Sequence, residues 1–133
     1  MTWKQKICRG EQTQILLYFL DSDEKELMPE YRYVSLERIK DNMYQTIIEE
    51  LIKGPSTSEY KATVPKDTKI NSINKDGNKV IVDLSKEYSQ GVENSEEDLG
   101  KIYSIVNTLT EIKEIEEVEI KVDGKEITSK TRL

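Results

Sequence analysis

Carboxylates are the only abundant groups in this chain that could do chemistry: 26 of its 133 residues are Asp or Glu, and none is His. Without imidazole no Ser-His-Asp or Cys-His arrangement can form, and the commonest zinc ligand is missing. The lone cysteine, Cys8, has no intrachain disulfide partner and sits in the polar segment Thr2 to Gln12. An incidental residue is the simpler reading there than a reactive or lipidated thiol. Asp21, Asp23, Glu24 and Glu26 form the densest early carboxylate group. A calcium loop would also need a glycine at its sharp bend, and none occurs from Asp21 to Glu30, so the pattern predicts no calcium site. A glycosidase-like pair can converge from anywhere in a sequence. Here it has no address, because no aromatic platform surrounds the candidates and the only tryptophan, Trp3, lies in the leading segment.

The other polar candidates have structural duties that explain them. Gly54-Pro55 reads as a helix terminator rather than a binding loop. Asp83 in Asp83-Leu84-Ser85 is expected to point outward on a strand, with Ser85 opening a turn, rather than to hold a cation or a substrate hydroxyl. Thr110 falls near the centre of an apolar helical stripe and can return its hydroxyl to the carbonyl of Val106. Asn107, on the flank of that stripe, can tie the helix to a neighbouring loop. Glu50 borders an earlier helix's apolar face and could accept N–H groups from the loop after Pro55. No catalytic, cofactor-binding or metal-binding residue is therefore assigned. The remaining oddity is seven tyrosines against one phenylalanine. Tyr18, Tyr31, Tyr33 and Tyr44 fall in the first half, where edging a small core is the simpler reading and an interface the competing one.

These residues must be positioned by a small set of elements. Thr13 to Leu20 is a β-prone run, apolar on both faces, and reads as a central strand. Asp21 to Glu24 breaks it, and Leu27 to Val34 forms a second strand that Pro29 confines to an edge or a bulge. Ser35 is placed to cap a helix whose stripe is Leu36, Ile39, Met43, Ile47 and Leu51, ending at Gly54 and Pro55. Ser56 to Asp67 reads as loop. Thr68 to Asn74 and Val80 to Leu84 make a hairpin around Lys75-Asp76-Gly77-Asn78, with Asp-Gly as the turn. A polar connection, Ser85 to Asn94, leads to a capping box of Ser95 and Asp98 and a second helix striped by Leu99, Ile102, Tyr103, Val106 and Leu109. Glu117 to Val122 alternates cleanly, and Asp123-Gly124 turns into a short last strand near Ile127.

This order, ββαββαβ, predicts an α+β fold: a two-layer sandwich with two helices on one face of a mixed sheet of five or six strands. The chain divides into a leading segment 1–12, one domain 13–128 and a charged tail 129–133. A single domain fits the length. The net charge of −6 and the scattering of 20 basic residues argue against nucleic acid. No run approaches a membrane-spanning length. Met1 to Gln14 lacks the apolar core of a signal peptide, so the chain reads as cytoplasmic if complete, or as an exported domain whose signal is absent.

Four stretches carry a family resemblance. They are Leu16 to Asp23, with Leu-Tyr-Phe-Leu-Asp-Ser-Asp; Ile47 to Ser56, Ile-Ile-Glu-Glu-Leu-Ile-Lys-Gly-Pro-Ser; and Lys79 to Lys86, Lys-Val-Ile-Val-Asp-Leu-Ser-Lys. The fourth joins Ser-Ile-Val-Asn-Thr-Leu-Thr-Glu at Ser104 to Glu111 with Val118 to Lys125, which closes on Val-Asp-Gly-Lys. In this order they resemble the GerMN domain, named from a spore germination protein of endospore-forming bacteria. The resemblance implies an exported envelope domain, often a lipoprotein, with no catalytic site and no cofactor. It implies a protein–protein interaction or scaffold role linked to sporulation or germination, with envelope or sporulation-complex proteins as partners and homo-oligomerisation possible. A module that binds peptidoglycan or another wall ligand is the alternative, and it would need a concave pocket lined by tyrosines. A small hydrolase would need two buried carboxyls facing a cleft.

Overall fold

The structure is a computed structural model that describes residues 10–91 and 98–132; Trp3, Cys8 and Ser95 lie outside them. Its elements run β1 (Gln12–Asp21), β2 (Leu27–Ser35), α1 (Leu36–Lys53), β3 (Tyr60–Lys61), β4 (Ile70–Asp76), β5 (Lys79–Leu84), α2 (Glu87–Gly91), α3 (Leu99–Thr110), β6 (Glu117–Val122) and β7 (Lys125–Thr131). The class is α+β, as the alternation of stripe and strand requires. The strands, however, form two sheets rather than one. A three-stranded sheet has the order β2-β1-β3, and a four-stranded sheet has the order β4-β5-β6-β7. β5 and β6 are parallel and the other pairs antiparallel, so the second sheet is the mixed one.

One core serves both sheets. Leu17 and Phe19 of β1, Val80, Val82 and Leu84 of β5, and Val118 and Ile120 of β6 are fully buried against Ile102, Ile105, Val106 and Leu109 of α3. Ile47, Ile48 and Leu51 close the same cluster from α1. Each such side chain contributes roughly 1.5–3 kcal/mol by leaving water, so this cluster dominates the fold's stability. Leu99, expected in the α3 stripe, is exposed at the helix's first position.

Several local expectations change. α1 is two helical segments that meet at Asn42, whose backbone is non-helical (φ −158, ψ 92). The Asn42 side chain accepts a bond from the Gln45 N–H at 3.2 Å, so it caps the second segment. Ser35 sits at the expected N-cap but its side chain makes no capping bond. The β4–β5 loop is Gly77-Asn78, since Asp76 already pairs with Lys79. Gly77 carries the positive φ of 63, which places Gly at the first central position of the turn rather than the second. β3 arises inside the predicted loop, and α2 inside the predicted polar connection, where it buries Tyr88. β7 continues through Thr131, into the segment read as a tail.

Gly54 ends α1 with φ 89 and ψ 176, an extended positive-φ conformation rather than the left-handed turn expected. That region is essentially closed to residues with a Cβ. Gly54→Ala is expected to cost about 2 kcal/mol through the backbone alone, because its Cβ would meet only the Ala62 Cβ at an ordinary 3.8 Å. A denaturant midpoint unchanged by this substitution would refute that assignment.

Candidate interaction surface

The strand alternation of β2 sorts its side chains into two sets. Met28, Glu30, Arg32 and Val34 share the inner face, while Tyr31 and Tyr33 stand on the outer one. The inner set builds an ionic clamp. The Arg32 guanidinium donates to the Glu50 carbonyl at 3.0 Å, the Gly54 carbonyl at 2.8 Å and the Glu50 carboxylate at 3.4 Å, and also pairs with Glu30. Arg38 and Lys53 reach the other Glu50 oxygen at 2.9 and 2.8 Å. Burial alone would raise the Glu50 pKa; hydrogen bonds from Lys53, Arg38 and Arg32 outweigh it and hold the carboxyl below its ordinary value. Glu30 is likewise held low: Arg32 and Ser56 overcome its burial. Ser56 donates its N–H to Glu30 at 3.0 Å, so Glu30 performs the loop-binding duty expected of Glu50. A glycosidase pair requires one carboxyl with a raised pKa. Glu30 and Glu50 are both shifted the other way, which makes them fasteners between β2, the end of α1 and the loop after it.

The remaining candidates also resolve into contacts within the fold. Asp21 accepts the Lys25 N–H at 2.9 Å and, more weakly, that of Glu26, which organises the β1–β2 turn; the Lys25 bond leads in lowering its pKa. Glu24 pairs with Lys61 of β3 at 3.2 Å. Among the described residues no group of three or more Cys, Asp or Glu is arranged to hold a metal. Asp83 accepts the Gly124 N–H at 3.1 Å, tying β5 to the β6–β7 turn, and the Ser85 hydroxyl accepts the Lys69 N–H at 2.8 Å. Thr110 donates to the Val106 carbonyl at 2.8 Å, as its place in the stripe predicts. The Asn107 main-chain carbonyl accepts from the Arg132 guanidinium at 3.1 Å, a backbone link from α3 to the residue after β7 and not the side-chain tie expected at this position.

Two features of the first sheet have no such internal duty among the described residues. Tyr31 and Tyr33 are 64% and 66% exposed, side by side along an edge strand, whereas Tyr18 and Tyr44 are half-buried. Beside them lies an open groove of about 300 Å³. Its walls are Ile15, Leu16 and Tyr31 of the sheet, Ile39, Met43 and Ile47 of α1, and Thr108, Glu111 and Ile112 at the end of α3. The groove is apolar except for threonines, Gln14 and a single charged group, Glu111. Deeper along β1, α3 seals the strand's edge. The Thr108 hydroxyl accepts the Tyr18 N–H at 3.0 Å, and the Ser104 hydroxyl donates to the Tyr18 carbonyl at 2.5 Å while bonding Thr63 at 2.6 Å. The sequence signalled neither the groove nor this seal, because Ser104 and Thr108 look like ordinary small helix residues.

Comparison with known families and structures bears on the whole domain. A family model, Germane, described as sporulation and spore germination, matches residues 16–128. The tandem GerMN domains of the sporulation protein GerM from Bacillus subtilis superpose with a TM-score of 0.74 at 21% identity, over 92% of this chain and 45% of that one. This chain thus spans less than half of that tandem structure. The first GerMN domain of the same protein gives a TM-score of 0.70 at 20% identity, over 86% of both chains. At these identities the likeness establishes the fold. A Clostridium perfringens protein named as a candidate lipoprotein gives 0.55 at 28% identity, over 87% of this chain and 77% of that one. No curated protein matches in sequence.

Proposed function

Because the chain belongs to the Germane family of sporulation and spore germination domains, we propose that it is a non-catalytic cell-envelope module that works by contact with other proteins. The observation that carries this reading is the family match across residues 16–128, which spans nearly all of the described fold. The adjacent, exposed Tyr31 and Tyr33 support contact as its mode of action, since tyrosine combines large apolar area with a polar tip at interfaces. The carboxyls of Glu30 and Glu50 are taken up by Arg32, Arg38, Lys53 and Ser56 within the fold, and the buried Glu119 pairs with Lys79 at 2.8 Å, which favours a scaffold duty for these groups. A wall-glycan site would want several polar groups converging in the groove, and its lining is mainly apolar with one tyrosine.

The test is photocrosslinking in sporulating cells from unnatural residues placed at Tyr31 or Tyr33, followed by fractionation. The reading expects crosslinks to envelope proteins that disappear when the probe is moved to the opposite sheet, at Asn74. A wholly cytosolic protein without such crosslinks would overturn it. Retention on purified wall material in place of protein crosslinks would favour the glycan alternative.

A further inference from the structure

The hydrogen-bonding direction of β1 follows from one residue of its partner. Pro29 stands opposite Tyr18 and has no N–H, so this pair must be a non-hydrogen-bonded position of the antiparallel ladder. Tyr18 therefore turns its N–H and C=O away from β2, which is where Thr108 and Ser104 meet them. Every second residue of a strand shares that direction. Leu20 uses it to pair with Lys61 of β3. Leu16 and Gln14 point the same way, and among the described residues their backbone groups find no partner on that side. α3 ends beside them, and the groove begins where α3 stops. Four adjacent backbone groups, two donors and two acceptors in strand geometry, thus face an apolar trough.

We propose that this trough is a strand-addition site: an extended segment of a partner protein pairs with the Gln14–Leu16 edge of β1, and its alternate side chains enter the groove. This rests on the protein-contact reading above and adds its mode. An incoming strand would direct one set of side chains towards Ile15, Ile39, Met43 and Ile47, which calls for aliphatic residues. The other set would face Leu16, Tyr31 and Glu111, the last placed on this side by its contact with the Tyr18 hydroxyl at 3.3 Å. Glu111 already pairs with Arg132 at 3.1 Å, so it is the exposed Tyr31 and Tyr33 rings and the net charge of −6 that select Lys or Arg for that set. The same charge disfavours a second copy of this chain as occupant.

The probe is an acetylated, amidated hexapeptide, Lys-Val-Lys-Ile-Lys-Val, added to the isotopically labelled full chain and followed by amide NMR. Binding is expected with shifts centred on the Gln14 and Leu16 amides and with slowed exchange of both. Methylating the peptide nitrogens that face β1 should weaken binding by about tenfold or more, since each removes a donor that only pairing uses. The Glu-Val-Glu-Ile-Glu-Val peptide should bind more weakly still. Gln14→Pro deletes an N–H that no ladder bond uses, and it should weaken the peptide about tenfold with the thermal midpoint little changed. No binding up to about 1 mM would overturn the proposal. So would shifts confined to Tyr31 and Tyr33 with methylation without effect, which would leave the contact reading standing. Self-pairing of the chain through the same two amides would overturn it as well.

Discussion

Replacing Ser104 by Ala and Thr108 by Val in one chain is expected to lower stability by about 3 kcal/mol and to make the protein aggregate. Neither change removes much volume, so the cost is one of hydrogen bonding. Ser104 is fully buried and Thr108 nearly so. Losing their hydroxyls leaves the Tyr18 N–H, the Tyr18 carbonyl and the Thr63 hydroxyl without the partners they now have. An orphaned polar group costs about 1–3 kcal/mol, partly recovered where water can enter. The second effect follows from the first. With Tyr18 released, the open run on β1 extends from Gln14 to Tyr18, long enough to template pairing with another chain. Denaturant midpoints measure the first effect, and light scattering at matched fractions folded measures the second. Combining Ser104→Ala with Thr108→Ser instead of valine keeps the acceptor for the Tyr18 N–H and should recover only that bond's share of the loss, about 1 kcal/mol. A double variant as soluble as the parent would show that the helix does not guard this edge.

Glu50→Gln is expected to cost about 3 kcal/mol near neutral pH, because it leaves Arg32 and Arg38 facing a neutral amide at a nearly buried position. The Glu50 side chain is only 6% exposed, whereas Lys53, which also binds it, is 62% exposed. Lys53→Ala should therefore change stability by less than about 1 kcal/mol. The pH dependence has a definite sign. Glu50 and Glu30 are held below their ordinary value of 4.5, so the folded state binds these protons less readily than the unfolded chain. Their contribution is complete above that value and is lost as pH falls through the lower folded values. The gap between parent and Glu50→Gln should thus narrow on acidification below about pH 4.5. A gap independent of pH would mean that packing, rather than the carboxylate's charge, sets the cost.

The parts of this fold written into side-chain periodicity were legible in the sequence. Ile47 and Leu51 in one helix, Ile102, Val106 and Leu109 in the other, and Val80, Val82, Val118 and Ile120 in the strands are all buried, as their spacing predicts. The division into two sheets was not legible. It depends on where strand edges meet across space, and β3, a strand of two residues, carries no period to detect. The break at Asn42 escaped because the apolar stripe runs on through it: Ile39 and Met43 still face the core from either side. The site divided similarly. Glu50 stood out as a polar residue on a buried border, but its partners, Arg32 and Arg38, come from a strand and an earlier turn of helix that local reading cannot align. Tyr31 and Tyr33 were visible as tyrosines, while their exposure depended on which face of β2 turned inward.

The parallel pairing of β5 with β6 has a consequence for the order in which the chain assembles. β1 with β2, β4 with β5, and β6 with β7 are neighbours joined by loops of two to five residues, so each can close early and cheaply. The β5–β6 ladder cannot close until everything from Leu84 to Glu117 has come round, with α3 already packed to carry the chain across. Ile105→Ala on α3 should accordingly slow refolding, whereas Ile73→Ala on the outer strand β4 should mainly speed unfolding. The arrival of α3 is then a single kinetic event that joins two sheets, and hairpins made before it wait as unconnected pieces.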